Sequence, residues 1–291
     1  MLCHTENKHM TENNTSPVSP CPYDILHIYY LKGHIHPENT RFGSTFLGNW
    51  EEDGFSFLFF QEPADNEVND LMKMDPELKL IDQYQMTYEE WQGGKIEPFT
   101  ISDFLIVPPW DRDCSNTSLK KKLVLDPGVV FGTGTHPTTH DCLDILSRLL
   151  KFMPIHSVID LGTGTGLLAL AAAKLGCNRV LAVDFNFLAV QTTLRNIRLN
   201  GFEDTIHAFQ GRAETFMHIQ TDLMVANIHY DVMQRLVSDN GFLQKKWFIL
   251  SGLLKSQAEK IEDQLSHLPV TILEKRDTEG VWHTFFGKID P

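Results

Sequence analysis

The sequence predicts an α/β protein in which a smaller α+β domain precedes a doubly wound, Rossmann-like, seven-stranded mixed sheet. Three observations carry this. From Leu123 onward, apolar runs of strand length alternate with helix-length segments, the pattern of a parallel sheet. A glycine turn at Gly162–Gly166 joins one such run to a helix with a small-residue face. The last two runs are separated only by Asp277-Thr278-Glu279-Gly280, a link too short for a crossover, so one strand must run antiparallel.

In chain order, residues 1–22 are polar and carry Pro17, Pro20 and Pro22, and read as a disordered tail. Residues 23–95 read as the small domain, with strands in YDILHIYYLK and GFSFLFFQE and a short helix in NEVNDLMKM. Residues 96–125 are punctuated by proline and read as a connector, with a hinge expected there, or as the first strands of the next domain. Residues 126–291 form the large domain. Its strands are SVIDL, RVLAVD, TIHAFQ, DLMVAN, KWFILSG, VTILEK and VWHTFFGKI. Its helices include FLAVQTTLRNIRLN, stopped by Gly201, and LLKSQAEKIEDQLSHL.

Bulk properties narrow the function classes. The 291 residues are 42% hydrophobic and 22% charged, enough for a sizeable core. No apolar run reaches the length of a membrane span, and the first ten residues lack a signal-peptide core. Five scattered cysteines without a C-x-x-C pair indicate neither a disulfide framework nor a metal site, so a cytoplasmic location is expected. Of the net charge of −13, residues 1–100 carry −11, from 6 basic against 17 acidic side chains. Such a surface repels phosphate backbones and suits a cationic partner, so nucleic acid is a poor primary partner.

Three motifs carry the chemistry. The glycine turn has G-x-G-x-G spacing, and Asp184 closes the next strand 22 positions after Gly162. Glycines there permit a sharp turn and close backbone approach, and the acid accepts hydrogen bonds from ribose hydroxyls. This spacing points away from dinucleotides and towards S-adenosylmethionine, which has no pyrophosphate. Upstream, Phe131-Gly132-Thr133-Gly134-Thr135-His136-Pro137-Thr138-Thr139 is a polar loop entering a helix, with Thr138 or Thr139 as the expected cap and free amides for a carboxylate. Downstream, Asn227 ends the fourth strand of the sheet, where ligands sit in open α/β folds, with His229 and Tyr230 close behind.

Together, LDPGVVFGTGTHPTT, VIDLGTGTGLLALAAAKLG, VLAVD, VANI and LSGLLKSQAEKI resemble the ribosomal protein L11 methyltransferases over roughly residues 88–291. The resemblance implies a class I methyltransferase fold whose small domain recruits the substrate. It implies an S-adenosylmethionine-dependent protein-lysine N-methyltransferase acting on a basic ribosomal protein, at lysine side chains and the N-terminal amine. Cofactor contacts carry over to Thr139, Gly162, Asp184 and Asn227. Gly164, Gly166, Phe131, Thr135 and His136 are expected beside them, and Asn227, His229 and Tyr230 at the catalytic position. Two departures stand out: His229-Tyr230 where the family has Leu-Ala, and Thr163 where it has Cys.

Chemically, a neutral amine would attack the sulfonium methyl in line, aligned by Asn227, with His229 as a candidate base. Alternatives remain open at this point. Another protein lysine is one acceptor. A nucleobase amino group or a glutamine amide is a second, suggested by Asn227-x-x-Tyr230. A cofactor-binding module without catalysis is a third.

Overall fold

A computed structural model describes residues 21–35, 42–111 and 120–291. The tail predicted for residues 1–22 therefore lies almost wholly outside the described residues, as do Cys3 and Cys114.

The small domain is a four-stranded antiparallel sheet in the order β2-β3-β1-β4, with β1 Ile25–Lys32, β2 Phe46–Glu52, β3 Phe55–Phe60 and β4 Lys79–Thr87. Helix α1 (Asp65–Met74) precedes β4, and α2 (Tyr88–Gln92) follows it, started by a capping box between Thr87 and Glu90. β1 alternates between two cores. Tyr29 and Leu31 pack under α1, whereas Leu26 and Ile28 point the other way, towards Val129, Val130 and Leu188 of the large domain. Strands β2 and β4 are not apparent in the sequence pattern. β4 lies at an edge with most of its side chains exposed, so it carries no hydrophobic alternation.

The expected connector is a sheet in its own right: β5 (Phe99–Ile101), β6 (Phe104–Val107) and β7 (Lys121–Val124). Phe104, Ile106, Leu123 and Leu125 lie in the main core of the large domain. The prolines therefore flank an integral part of the large domain's packing rather than a bare linker.

The large domain continues with α3 (Pro137–Phe152), β8 (Ser157–Leu161), α4 (Leu167–Lys174), β9 (Arg179–Asp184), α5 (Phe187–Asn200), β10 (Ile206–Gln210), β11 (Leu223–Asn227), α6 (Tyr230–Ser238), β12 (Trp247–Leu254), α7 (Lys255–Ser266), β13 (Val270–Thr278) and β14 (Trp282–Ile289). The seven strands run β10-β9-β8-β11-β12-β14-β13, and only β14 runs against the other six. α3 and α4 cover one face of the sheet, and α6 and α7 cover the other. The strand order reverses between β8 and β11, which opens a crevice at their C-terminal ends.

Two local expectations are corrected. Leu253 and Leu254 belong to β12, because they pair with His283 and Trp282, so the helix begins only at Lys255. The cap of α3 is His136 rather than Thr138 or Thr139. Pro137 occupies the first helical position, and the His136 ring accepts from the Thr138 amide.

The domains are joined by polar ties as well as by apolar packing. The Tyr23 hydroxyl donates to the Asp126 carboxylate at 3.1 Å. Arg195 donates to Tyr23 at 2.9 Å and to Asp126 at 3.0 Å. The Tyr88 hydroxyl and the Gln92 amide each donate to the Gly128 carbonyl at 2.8 Å.

Candidate active site

The glycine turn is held from below and covered from above. The amides of Gly162 and Thr163 donate to the Val183 carbonyl at 2.8 and 3.0 Å, tying the turn to the end of β9. Gly162, Gly164 and Gly166 adopt φ of 74°, 56° and 84°, a region that other residues rarely enter. A Cβ on Gly164 would lie 2.6 Å from the Phe131 carbonyl oxygen, so the Phe131–Thr135 loop rests directly on the turn. Thr165 donates to the Gly132 carbonyl at 2.6 Å, and Asn196 donates at 2.9 Å to the carbonyls of both Thr165 and Asp126. The first and second motifs are thus one assembly.

Asp184 closes β9 beside this turn. Its carboxylate accepts from the Gly164 amide and the Asn186 amide, both at 2.9 Å. Among the described residues it has no ion-pair partner. Burial raises its pKa above the ordinary value, opposed by the backbone amides. Each carboxylate oxygen keeps acceptor capacity for a ribose hydroxyl. The Asp184 carbonyl accepts from Gly211 at 2.9 Å, which brings the 211–213 loop alongside. There the Arg212 guanidinium lies over the exposed Phe185 ring at 5.8 Å.

Beneath the turn, Asp160 of β8 is buried and accepts from the Thr163 hydroxyl at 2.7 Å. Burial pushes its pKa up to about 7, against the Thr163 hydroxyl and the Ala169 amide. The three motifs do not single this residue out. An acid inside an apolar strand is the available signal, because such groups are buried only with a reason.

On the other side of the crevice, Asn227 ends β11 and its side-chain amide lies 3.5 Å from the Thr139 hydroxyl. A Cβ on Gly252 would come within 2.9 Å of Asn227 Oδ1, so the glycine leaves that oxygen its space. The start of α3 is fixed by the neutral His136 ring. Its Nδ1 accepts from Thr138, and burial together with nearby His140 holds its pKa below the usual histidine value. The same ring packs edge-on against Trp282 at 4.7 Å. A buried polar chain supports this corner, in which Arg276 pairs with Asp141, Thr284 donates to Asp141 at 3.1 Å, and Ser251 meets both Thr284 and the Thr138 carbonyl.

Thr139, the glycine turn, Asp184 and Asn227 therefore converge on the crevice, and Phe131 lies over the turn. The Thr133 hydroxyl pairs with Thr135 at 2.9 Å on the exposed loop. His229 is exposed at the cap position of α6, and its ring makes no capping bond. Tyr230 is half-buried, and the Lys260 ammonium of α7 lies 5.7 Å from its ring centroid. Of the three catalytic candidates, Asn227 alone is brought against a predicted cofactor residue. Asn196, Asp141, Ser251 and Thr284, which hold the loops and α3 in place, are separated from their partners by up to 143 residues and leave no local signature.

No helix among the described residues is long and apolar enough to cross a membrane. Nor does any group of three or more His, Cys, Asp or Glu among them have the arrangement of a metal site.

Comparison with known proteins identifies the family. Residues 59–289 match the family described as ribosomal protein L11 methyltransferase (PrmA), a match that begins well before residue 88. The ribosomal protein L11 methyltransferase of Desulfitobacterium hafniense is 36% identical over 225 residues, covering 74% of this chain and 70% of that protein. The corresponding protein of Anoxybacillus flavithermus is 34% identical over 229 residues, covering 76% and 72%. The crystal structure of a ribosomal protein L11 methylase from Lactobacillus delbrueckii subsp. bulgaricus matches 67% of this chain and all of that one, with a TM-score of 0.60 and 29% identity. The chain is a methyltransferase, and it belongs to the ribosomal protein L11 methyltransferase family.

Proposed function

We propose that this enzyme transfers methyl groups from S-adenosylmethionine to amino groups of a basic protein, ribosomal protein L11 in the first instance, in the cytoplasm. The observation that carries the reading is the meeting of Thr139 with Asn227 across the crevice from Asp184 and the glycine turn. The residues suit that cofactor. Asp184 offers unshared acceptor capacity to a ribose and the turn permits close approach, whereas the amides expected to be free for a carboxylate are engaged: Thr138 donates to the His136 ring, and Thr139 and His140 donate to the His136 carbonyl. S-adenosylmethionine, when bound, supplies an electrophilic methyl group on a sulfonium.

The protein's own work is alignment and desolvation. The side-chain oxygen of Asn227, given room by Gly252, accepts a hydrogen bond from the amine and so directs its lone pair. The amine must arrive neutral. Its ordinary pKa of ~10.4 has to fall, which desolvation on entering the crevice favours. His229, exposed at the start of α6, is within the same loop and is the candidate proton acceptor. That role requires His229→Ala to lower the rate and alter its pH profile. An unchanged profile excludes it.

The test is incubation with methyl-labelled S-adenosylmethionine and fractionated ribosomal proteins. Label in L11 is the expected result. Label in RNA, or cofactor binding without any transfer, overturns the reading.

A further inference from the structure

Val129 and Val130 are each 2% exposed in the interface between the domains, yet the next residue, Phe131, is 67% exposed. A ring that only packed would go inward with its neighbours, since leaving it in water forgoes about 2 kcal/mol of burial. Two tryptophans of the small domain flank it. The Trp50 ring lies 5.6 Å away at 83°, and the Trp91 ring 6.4 Å away at 40°. The three rings come from β2, α2 and the loop on the glycine turn, so both domains contribute.

The position is next to the crevice. The Glu51 carbonyl accepts from Asn186 at 3.4 Å, and the Asn186 amide in turn donates to Asp184. The surroundings are anionic. Glu52 accepts from the Trp50 indole N–H at 3.3 Å and is the carboxylate at the rings. The Trp50 and Phe131 rings, set near a right angle with a carboxylate at the indole edge, suit a cation carrying apolar substituents, which gains from ring quadrupoles and counter-charge together.

We propose that Trp50, Trp91 and Phe131 form an aromatic port that captures the acceptor's alkylammonium side chain at the mouth of the crevice, with Glu52 as its counter-charge. The proposal deepens the amine-methylation reading and rests on it. The small domain then takes part in recognising the amine itself, besides recruiting the protein that carries it. The port holds the protonated amine, which passes its proton to solvent water on moving inward to Asn227.

Tetramethylammonium chloride, at constant ionic strength with sodium chloride as control, is the probe. It should inhibit methylation competitively against the acceptor protein and not against S-adenosylmethionine. Trp50→Ala should abolish this inhibition and raise KM for the acceptor about tenfold, with KM for S-adenosylmethionine unchanged. Trp50→Phe should restore most of the effect. Glu52→Gln, which keeps the packing, should raise the acceptor KM about threefold at low salt and less at high salt. Inhibition competitive with S-adenosylmethionine, or an acceptor KM untouched by both variants, overturns the port. Tetramethylammonium binding measured by calorimetry on the enzyme alone separates the two claims. Binding lost in Trp50→Ala while L11 goes unlabelled supports the port and sinks the substrate assignment. Labelled L11 without such binding does the reverse.

Discussion

At the N-terminal edge of the large sheet, Asp222 accepts from the amides of His156 and Ser157, from the Ser157 hydroxyl, and from Lys246 at 2.7 Å. These partners outweigh its burial and draw its pKa down to about 2. At the opposite edge, Asp184 and Asp160 are more deeply enclosed, and among the described residues neither forms an ion pair. Both pKa values are raised by burial. One edge satisfies its acid and so ties β8 to the strand beside it. The other leaves its acids hydrogen-bonded but without a counter-charge, a cost that marks a place where something else is to be bound.

That contrast can be broken in a graded way. Asn227→Ala, at the unsatisfied edge, should lower kcat by about a hundredfold through lost alignment, while the thermal midpoint moves little. Steady-state kinetics and calorimetry on the same preparation check both halves. Asp184→Asn should raise KM for S-adenosylmethionine about tenfold, because charge-assisted hydrogen bonds to a ribose are lost. Asp222→Asn should do the opposite, costing about 2 kcal/mol of stability and leaving both KM values alone. A stability loss at Asp184 with unchanged KM would erase the distinction between the edges.

The same acids predict opposite pH slopes. Asp222 has a depressed folded pKa, so its contribution is present above its unfolded value near ~3.9 and is lost as pH falls towards about 2. Asp160 has a raised folded pKa, so its contribution is present below ~3.9 and is lost as pH rises through about 7. Denaturation midpoints of Asp160→Asn relative to the parent should therefore improve steadily between pH 4 and 7. A flat difference would show that Asp160 is charged without cost. The smallest expected effect is at Thr284→Val, which breaks the chain from Arg276 to the start of α3. It should raise KM for S-adenosylmethionine about threefold with kcat retained, and Thr284→Ser should rescue it.

Much of this architecture is legible in the sequence alone. The large domain is announced by local signals: runs of β-branched and apolar residues, Gly201 at a helix end, and a link too short to cross over. The turn, Asp184, Thr139 and Asn227 are legible because their residue types serve backbone geometry and hydrogen bonding at fixed strand ends. The cap of α3 is misleading, since threonine is the commoner cap and only Pro137 reveals that the helix starts at least two residues earlier. β2 and β4 escape detection because one lies under the other domain and the other at an open edge, and neither shows alternation. Asp126, Arg195 and Tyr23 meet across 69 to 172 positions of sequence, a relation that no window of residues contains.

Those three side chains bear on how the protein can be altered by recombination. The segment from Asp126 to Phe131 is anchored by Tyr23, Tyr88 and Gln92 on one side and lies against the glycine turn on the other. A small domain that lacked these anchors would disturb the segment that covers the turn. The two domains are in that sense inherited as one unit, and a chimera made at residue 96 should forfeit cofactor affinity along with substrate choice unless Tyr23, Tyr88 and Gln92 travel with it.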